Sequence, residues 1–233
     1  MLQGCHTALI TPFNADRSLN QEGVEKLVAY QIAEGINGIL ACGTTAESPT
    51  LSSDEQSLIT RIACGQAKEQ CRAIAGAGSN STAKTLKAAE YAAQVGADSI
   101  LLVDPYYNGP SSLEIRKEYV EPVAKAFPEL DMIPYVIPGR SGTKLLPEDL
   151  GILFSEYKNV STVKEATGDL DNMARTRECC GDDFSIMSGD DDKTFDMMTD
   201  ARINAAGVIS VMSNVVPGAL TQFVQALRDG DQA

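Results

Sequence analysis

Residues 160–169 read VSTVKEATGD, and the fold turns on how this stretch is taken. A short β-branched run from Val160 to Lys164 ends in a lysine and breaks into a loop near Gly168, as a strand does. Val160, Thr162 and Lys164 recur at a period of two, which puts them on one face of that strand. If the face points into a closed barrel, the amine of Lys164 does too, and burial then disfavours the ammonium and leaves a neutral nucleophile. The competing reading is an ordinary strand-end lysine paired with Glu165 or another rim acid. For a lone lysine that reading is the better one; its company decides otherwise.

Outward from this stretch the same unit repeats. Apolar runs at Cys5 to Ile10, Gly38 to Cys42, Arg72 to Ala75, Ser99 to Val103, Met132 to Val136, Val160 to Lys164, Phe184 to Met187 and Gly207 to Val211 alternate with amphipathic segments. Asn20 and Ser53 (or Ser52) suit helix N-caps, and Pro147 and Pro217 suit first helical turns. Val24, Leu27, Val28, Gln31 and Ile32 form a stripe that ends at Gly35. Eight βα units predict an α/β chain folded as a closed (β/α)8 TIM barrel, one domain over residues 1–233. An open doubly wound sheet would carry GxGxxG after its first strand; AGAGSNS (75–81) lacks the third glycine.

Composition narrows the function. A net charge of −13 argues against a nucleic-acid partner, whose phosphates need Lys and Arg. No apolar run reaches the roughly 18 residues that span a bilayer, and MLQGCHTALITPF lacks the marks of a signal peptide, so no membrane partner and a cytoplasmic location are expected. The six cysteines show no CxxC spacing and read as buried thiols rather than a zinc site, so no metal is expected. With His6 the single histidine, some other side chain has to move protons.

In such barrels chemistry sits just after the strands, where GTTAES (43–48), DPYYN (104–108), PYVIPGR (134–140) and VKEAT (163–167) lie. Tyr135 falls one strand away from Lys164 and is a candidate proton donor and acceptor. A phenol titrating near ~10 is a poor lone base, so a relay through Thr44 or Thr45 and one of Tyr106 and Tyr107 suits it better. The bland reading of the tyrosine pair is rim packing. Arg140 offers a fork for a carboxylate, or is an ordinary surface arginine. SGDDD (188–192) resembles a metal motif but reads better as acids that cap, through its dipole, the helix starting near Lys193.

Taken in order, TPF (11–13), GTTAES, DPYYN, YVIPGR, VKEATGD and SGDD resemble the pyruvate-dependent family of dihydrodipicolinate synthase and N-acetylneuraminate lyase over nearly the whole chain. That resemblance implies a Schiff base between Lys164 and pyruvate, Tyr135 as proton relay, and Thr44 and Tyr107 completing a triad, with Tyr107 reaching into a neighbouring subunit of a homodimer or homotetramer. It implies substrate contacts at Thr45, Arg140, Gly189 and Ile209, no cofactor, and condensation of pyruvate with L-aspartate 4-semialdehyde, the synthase branch. Sister lyases of sialic or 2-keto-3-deoxy sugar acids, and a non-catalytic barrel that binds a keto acid or a partner subunit, are the alternatives. Three departures stand out: Ala46 in place of glycine, Val136 in place of asparagine, and no C-terminal helical extension after the eighth unit. Where feedback-inhibited members bind lysine, near Ser48, Asn80 and Tyr106, this chain carries Lys84 in place of glutamate, which predicts weak lysine inhibition.

Overall fold

The strands are runs of four to six residues, nearly all buried on both faces, the mark of parallel strands walled by helices outside and packed side chains within. In the computed structural model, which describes residues 1–231, they are β1 (Gly4–Ala8), β2 (Gly38–Ala41), β3 (Arg72–Gly76), β4 (Ser99–Val103), β5 (Asp131–Val136), β6 (Thr162–Glu165), β7 (Ser185–Ser188) and β8 (Gly207–Ser210). All pair in parallel and in chain order, and β8 returns to β1 through His6 opposite Ile209, so the expected (β/α)8 barrel is closed. Strand ends fall within two residues of those expected.

The helices are α1 (Gln21–Ala33), α2 (Ser53–Ala67), α3 (Thr82–Gln94), α4 (112–126, with a π-helical stretch at Ile115–Val120), α5 (Pro147–Glu156), α6 (Leu170–Cys180), α7 (Thr194–Thr199) and α8 (Pro217–Arg228). Local chemistry sets their starts. Asn20 accepts the Gly23 N–H, and Ser52, rather than Ser53, caps α2 in a reciprocal box with Glu55; such caps stabilise a helix by about 1 kcal/mol. Pro147 and Pro217 occupy first turns as expected.

Two apolar layers result. Ala8, Leu40, Ile74, Leu101, Ile133, Tyr135, Met187 and Ile209 fill the barrel interior. Ile100, Leu102, Met132, Val163 and Ile186 pack outward under the helices. Val160 belongs to that outer layer, which corrects the one-face reading of the opening stretch. It precedes β6, so the alternation that sets Thr162 and Lys164 does not extend to it. Val136 also faces outward, beside Glu165, away from the interior where Tyr135 points.

Candidate active site

Tyr135 and Lys164 are direct partners across β5 and β6, both only 3% exposed. The register lays the Lys164 Nζ over the Tyr135 ring, 4.3 Å from its centroid. Burial holds the amine down at about 8, with Asp190 and Asp191 pulling it back up and Arg140 adding to the depression. The phenol of Tyr135 is driven the other way, to about 12, first by burial and then by Asp190, while Arg140 and the Thr44 hydroxyl oppose the shift. The pair is thus an amine with a far larger neutral fraction at neutral pH than an ordinary lysine, beside a protonated phenol, and together they can attack a carbonyl and deliver a proton.

The remaining expected residues surround this pair unevenly. Thr44 and Thr45 sit half-buried in a 3-10 turn over Thr44–Ala46, whose Ala46 carbonyl accepts the Thr11 hydroxyl at 2.8 Å. Ala46 is not among the residues of positive φ; the left-handed position falls on Glu47 (φ 58°), so the methyl at 46 is accommodated without backbone strain. Arg140 is exposed on a short helical turn, Pro138–Ser141, and its guanidinium has no hydrogen-bond or ion-pair partner among the described residues. It lies near enough to act on Lys164, Tyr135 and Asp190. Ile209 is fully buried in the interior layer.

Gly189 marks a close approach. A Cβ there would lie 2.7 Å from the Ala166 Cβ and 3.3 Å from the Lys164 Cε, so a side chain would crowd the lysine stem. Tyr107 stands apart: it is 91% exposed with φ at 80°, whereas Tyr135 is buried. A crevice of about 750 Å³ opens elsewhere, lined in part by Lys68, Cys71, Arg72 and Asp98; it holds none of these residues, and its Arg72 is already paired with Asp131.

Asp191 and Asp192 stand in the first turn that leads into α7, where the helix dipole favours acids as expected, although no side chain of the run makes a cap hydrogen bond. Asp191 instead accepts the backbone N–H groups of Val211 (3.0 Å) and Met212 (2.9 Å), tying the β7 and β8 exits together. Asp190 faces Lys164 and Arg140 and is itself raised, first by burial. These two acids are the functional neighbours the sequence reading missed; their signal was the position directly after a barrel strand. Among the described residues no cluster of histidine, cysteine or acids is arranged to hold a metal. His6 is buried and held down at about 4 by desolvation, neutral and away from the lysine–phenol pair.

Comparison with known proteins agrees with the fold. The model of the dihydrodipicolinate synthetase family matches residues 1–233. A 4-hydroxy-tetrahydrodipicolinate synthase of Nitratidesulfovibrio vulgaris is 41% identical over 231 residues, 99% of this chain and 77% of that protein. The crystal structure of dihydrodipicolinate synthase from Aquifex aeolicus superposes with a TM-score of 0.93 at 35% identity, covering 99% of this chain and 76% of that one. The 4-hydroxy-tetrahydrodipicolinate synthase of Methylacidiphilum fumariolicum gives 0.94 at 34%, covering 99% and 75%.

Proposed function

Since the chain belongs to the dihydrodipicolinate synthetase family, we infer that it is a lyase that condenses pyruvate with L-aspartate 4-semialdehyde on the route to lysine and diaminopimelate. The observation that carries the mechanism is the buried amine of Lys164 resting over the face of Tyr135 inside a closed barrel. The neutral fraction of Lys164 attacks C2 of pyruvate, and Tyr135, protonated at neutral pH, donates to the departing hydroxyl so that water leaves and an iminium forms. The iminium acidifies the pyruvate methyl; loss of a proton there gives an enamine whose carbon adds to the aldehyde. The amino group of the semialdehyde then closes the ring onto the iminium carbon and frees Lys164. One water is lost overall, and no electrons are transferred.

Roles follow from placement. Asp190 and Asp191 supply negative charge beside the iminium, which stays cationic in a buried site. The unpartnered guanidinium of Arg140 is free to take a substrate carboxylate in a bidentate grip, and the hydroxyls and N–H groups of the Thr44–Thr45 turn suit the carboxylate of pyruvate. Gly189 and Ile209 shape the wall against the lysine. Tyr107 holds an uncommon backbone conformation for a non-glycine residue while touching solvent, and inserts into the mouth of a second copy, with Thr44 and Tyr135, in a homodimer or homotetramer. The covalent lysine takes the place of an external cofactor. No helix among the described residues is long and apolar enough to cross a membrane, in keeping with a cytoplasmic enzyme.

Borohydride reduction in the presence of pyruvate tests this, read by mass spectrometry. One reduced pyruvate unit on Lys164, absent from Lys164→Ala, is expected. An unmodified chain, or label on another lysine, overturns the assignment.

A further inference from the structure

Asp104 leaves the end of β4 directly before Pro105 and the two tyrosines, and is 1% exposed. Its Oδ2 accepts the Leu145 N–H at 2.9 Å, while Oδ1 is buried with no hydrogen-bond partner. No cation pairs with it among the described residues. Facing it are Glu165 from β6 and Tyr119 from the π-helical stretch of α4, with Tyr106 on its own loop; Lys144, beside Leu145, acts on Glu165. Glu165 is spoken for, its oxygens accepting the Thr167 N–H at 2.8 Å and the Asn172 amide at 3.1 Å. Tyr119 is likewise engaged with Val103 and Ser79.

A carboxylate so placed would have one N–H and a second acid for company, and a single hydrogen bond does not offset the loss of water around a charge. The group is therefore driven toward its neutral form: burial pushes it up to about 8, the Leu145 N–H opposes, and Glu165 adds to the rise. What the residue touches is the framework of the site. Its N–H donates to the Tyr135 carbonyl at 3.1 Å, its side chain anchors Leu145, and the Thr143 hydroxyl bonds the Pro105 carbonyl at 3.0 Å beside it. Arg140 lies at the start of that loop, and Tyr107 follows on the other arm.

The geometry points to Asp104 as a positioning residue that works as a neutral acid: uncharged, it lets the β4 exit and the loop behind Arg140 close over it without water, whereas its ionisation leaves a charge beside Glu165 that a single N–H does not satisfy, so that water enters, the two segments part and the grip on the second substrate weakens. This rests on the Schiff-base reading of Lys164. The rate with aspartate semialdehyde then rises with pH as Lys164 becomes neutral and falls as Asp104 ionises, whereas pyruvate trapping only rises.

The test compares wild type, Asp104→Asn and Asp104→Ala between about pH 6.5 and 9.5, measuring kcat/KM for the semialdehyde and borohydride trapping of pyruvate. Asparagine copies the shape of the neutral acid, so Asp104→Asn is expected to lose the alkaline fall and reach a plateau. Asp104→Ala is expected to lose about tenfold at pH 7, against less than about threefold for Asp104→Asn, with KM for the semialdehyde rising and trapping unchanged. An alkaline limb in Asp104→Asn that matches wild type, a wild-type profile without one, or full activity in Asp104→Ala overturns the proposal. Should the alanine variant lack a folded circular dichroism spectrum, the asparagine profile decides alone. Failure of trapping in wild type would sink the Schiff-base reading instead, a separate outcome.

Discussion

Two buried bases occupy the interior of this barrel and meet opposite fates. His6 on β1 and Lys164 on β6 are 1% and 3% exposed, and burial is the largest influence on both. His6 has only the Gln3 carbonyl, 3.0 Å from Nε2, with its other ring nitrogen unpartnered, and it feels the repulsion of Arg72. It is held down at about 4 and is inert as a neutral ring. Lys164 faces Asp190 and Asp191, which return part of what desolvation removed and leave it at about 8. Removal from water makes a base neutral; nearby opposite charge decides whether it stays within reach of working pH.

The contrast breaks most sharply if Lys164 is dispensable. Lys164→Ala is expected to lower kcat by at least about 10³-fold in a coupled assay, while His6→Asn changes it by less than about threefold. Tyr135→Phe keeps the ring under the amine but removes the proton, and stopped-flow measurement of iminium formation should show a loss of about 10²-fold. His6 itself is tested by stability. A base whose folded pKa, about 4, lies below its unfolded 6.5 contributes stability that is complete above pH 6.5 and lost as pH falls toward 4, about 3 kcal/mol in all. Urea unfolding across that window should show a shallower pH slope in His6→Asn; equal slopes would remove His6 from the account. Asp190→Asn withdraws a charge that favours the ammonium, so the acid limb of the rate profile, near 8 in wild type, should move to lower pH. The smallest effect concerns Lys84, exposed in the first turn of α3, where its positive charge opposes both a lysine ammonium and the helix dipole. Titration with L-lysine should leave activity nearly unchanged below millimolar concentration.

The barrel was readable because its signal is local and repeated: a short buried run followed by a helical segment recurs eight times, and five of the helices begin at a side-chain cap. Lys164 and Tyr135 were readable because strand alternation fixes direction and adjacent strands fix proximity. The acids after β7 were readable as first-turn residues favoured by a helix dipole, but their further contacts were not. The N–H groups that Asp191 meets belong to Val211 and Met212, on the next strand's exit, and no local rule reaches them. Asp104 went unremarked for the same reason: an aspartate before proline at a rim is normally wet, and only the packing of α4 and the 143–145 loop over it makes it dry. Val160 shows the limit of alternation, which holds only between residues that are both in the strand.

The bare Cα at Gly189 carries a further consequence for how this barrel can change. Exposed Asp192 at the tip can be exchanged and the chain still fold, since its side chain braces neither the helix that follows nor a neighbouring strand exit. Position 189 has no such latitude, because even a methyl would wedge against the lysine stem and the Ala166 Cβ. Novel substrate preferences in this arc therefore have to arise beyond the glycine, so the loop is free to drift at its tip and frozen at its root.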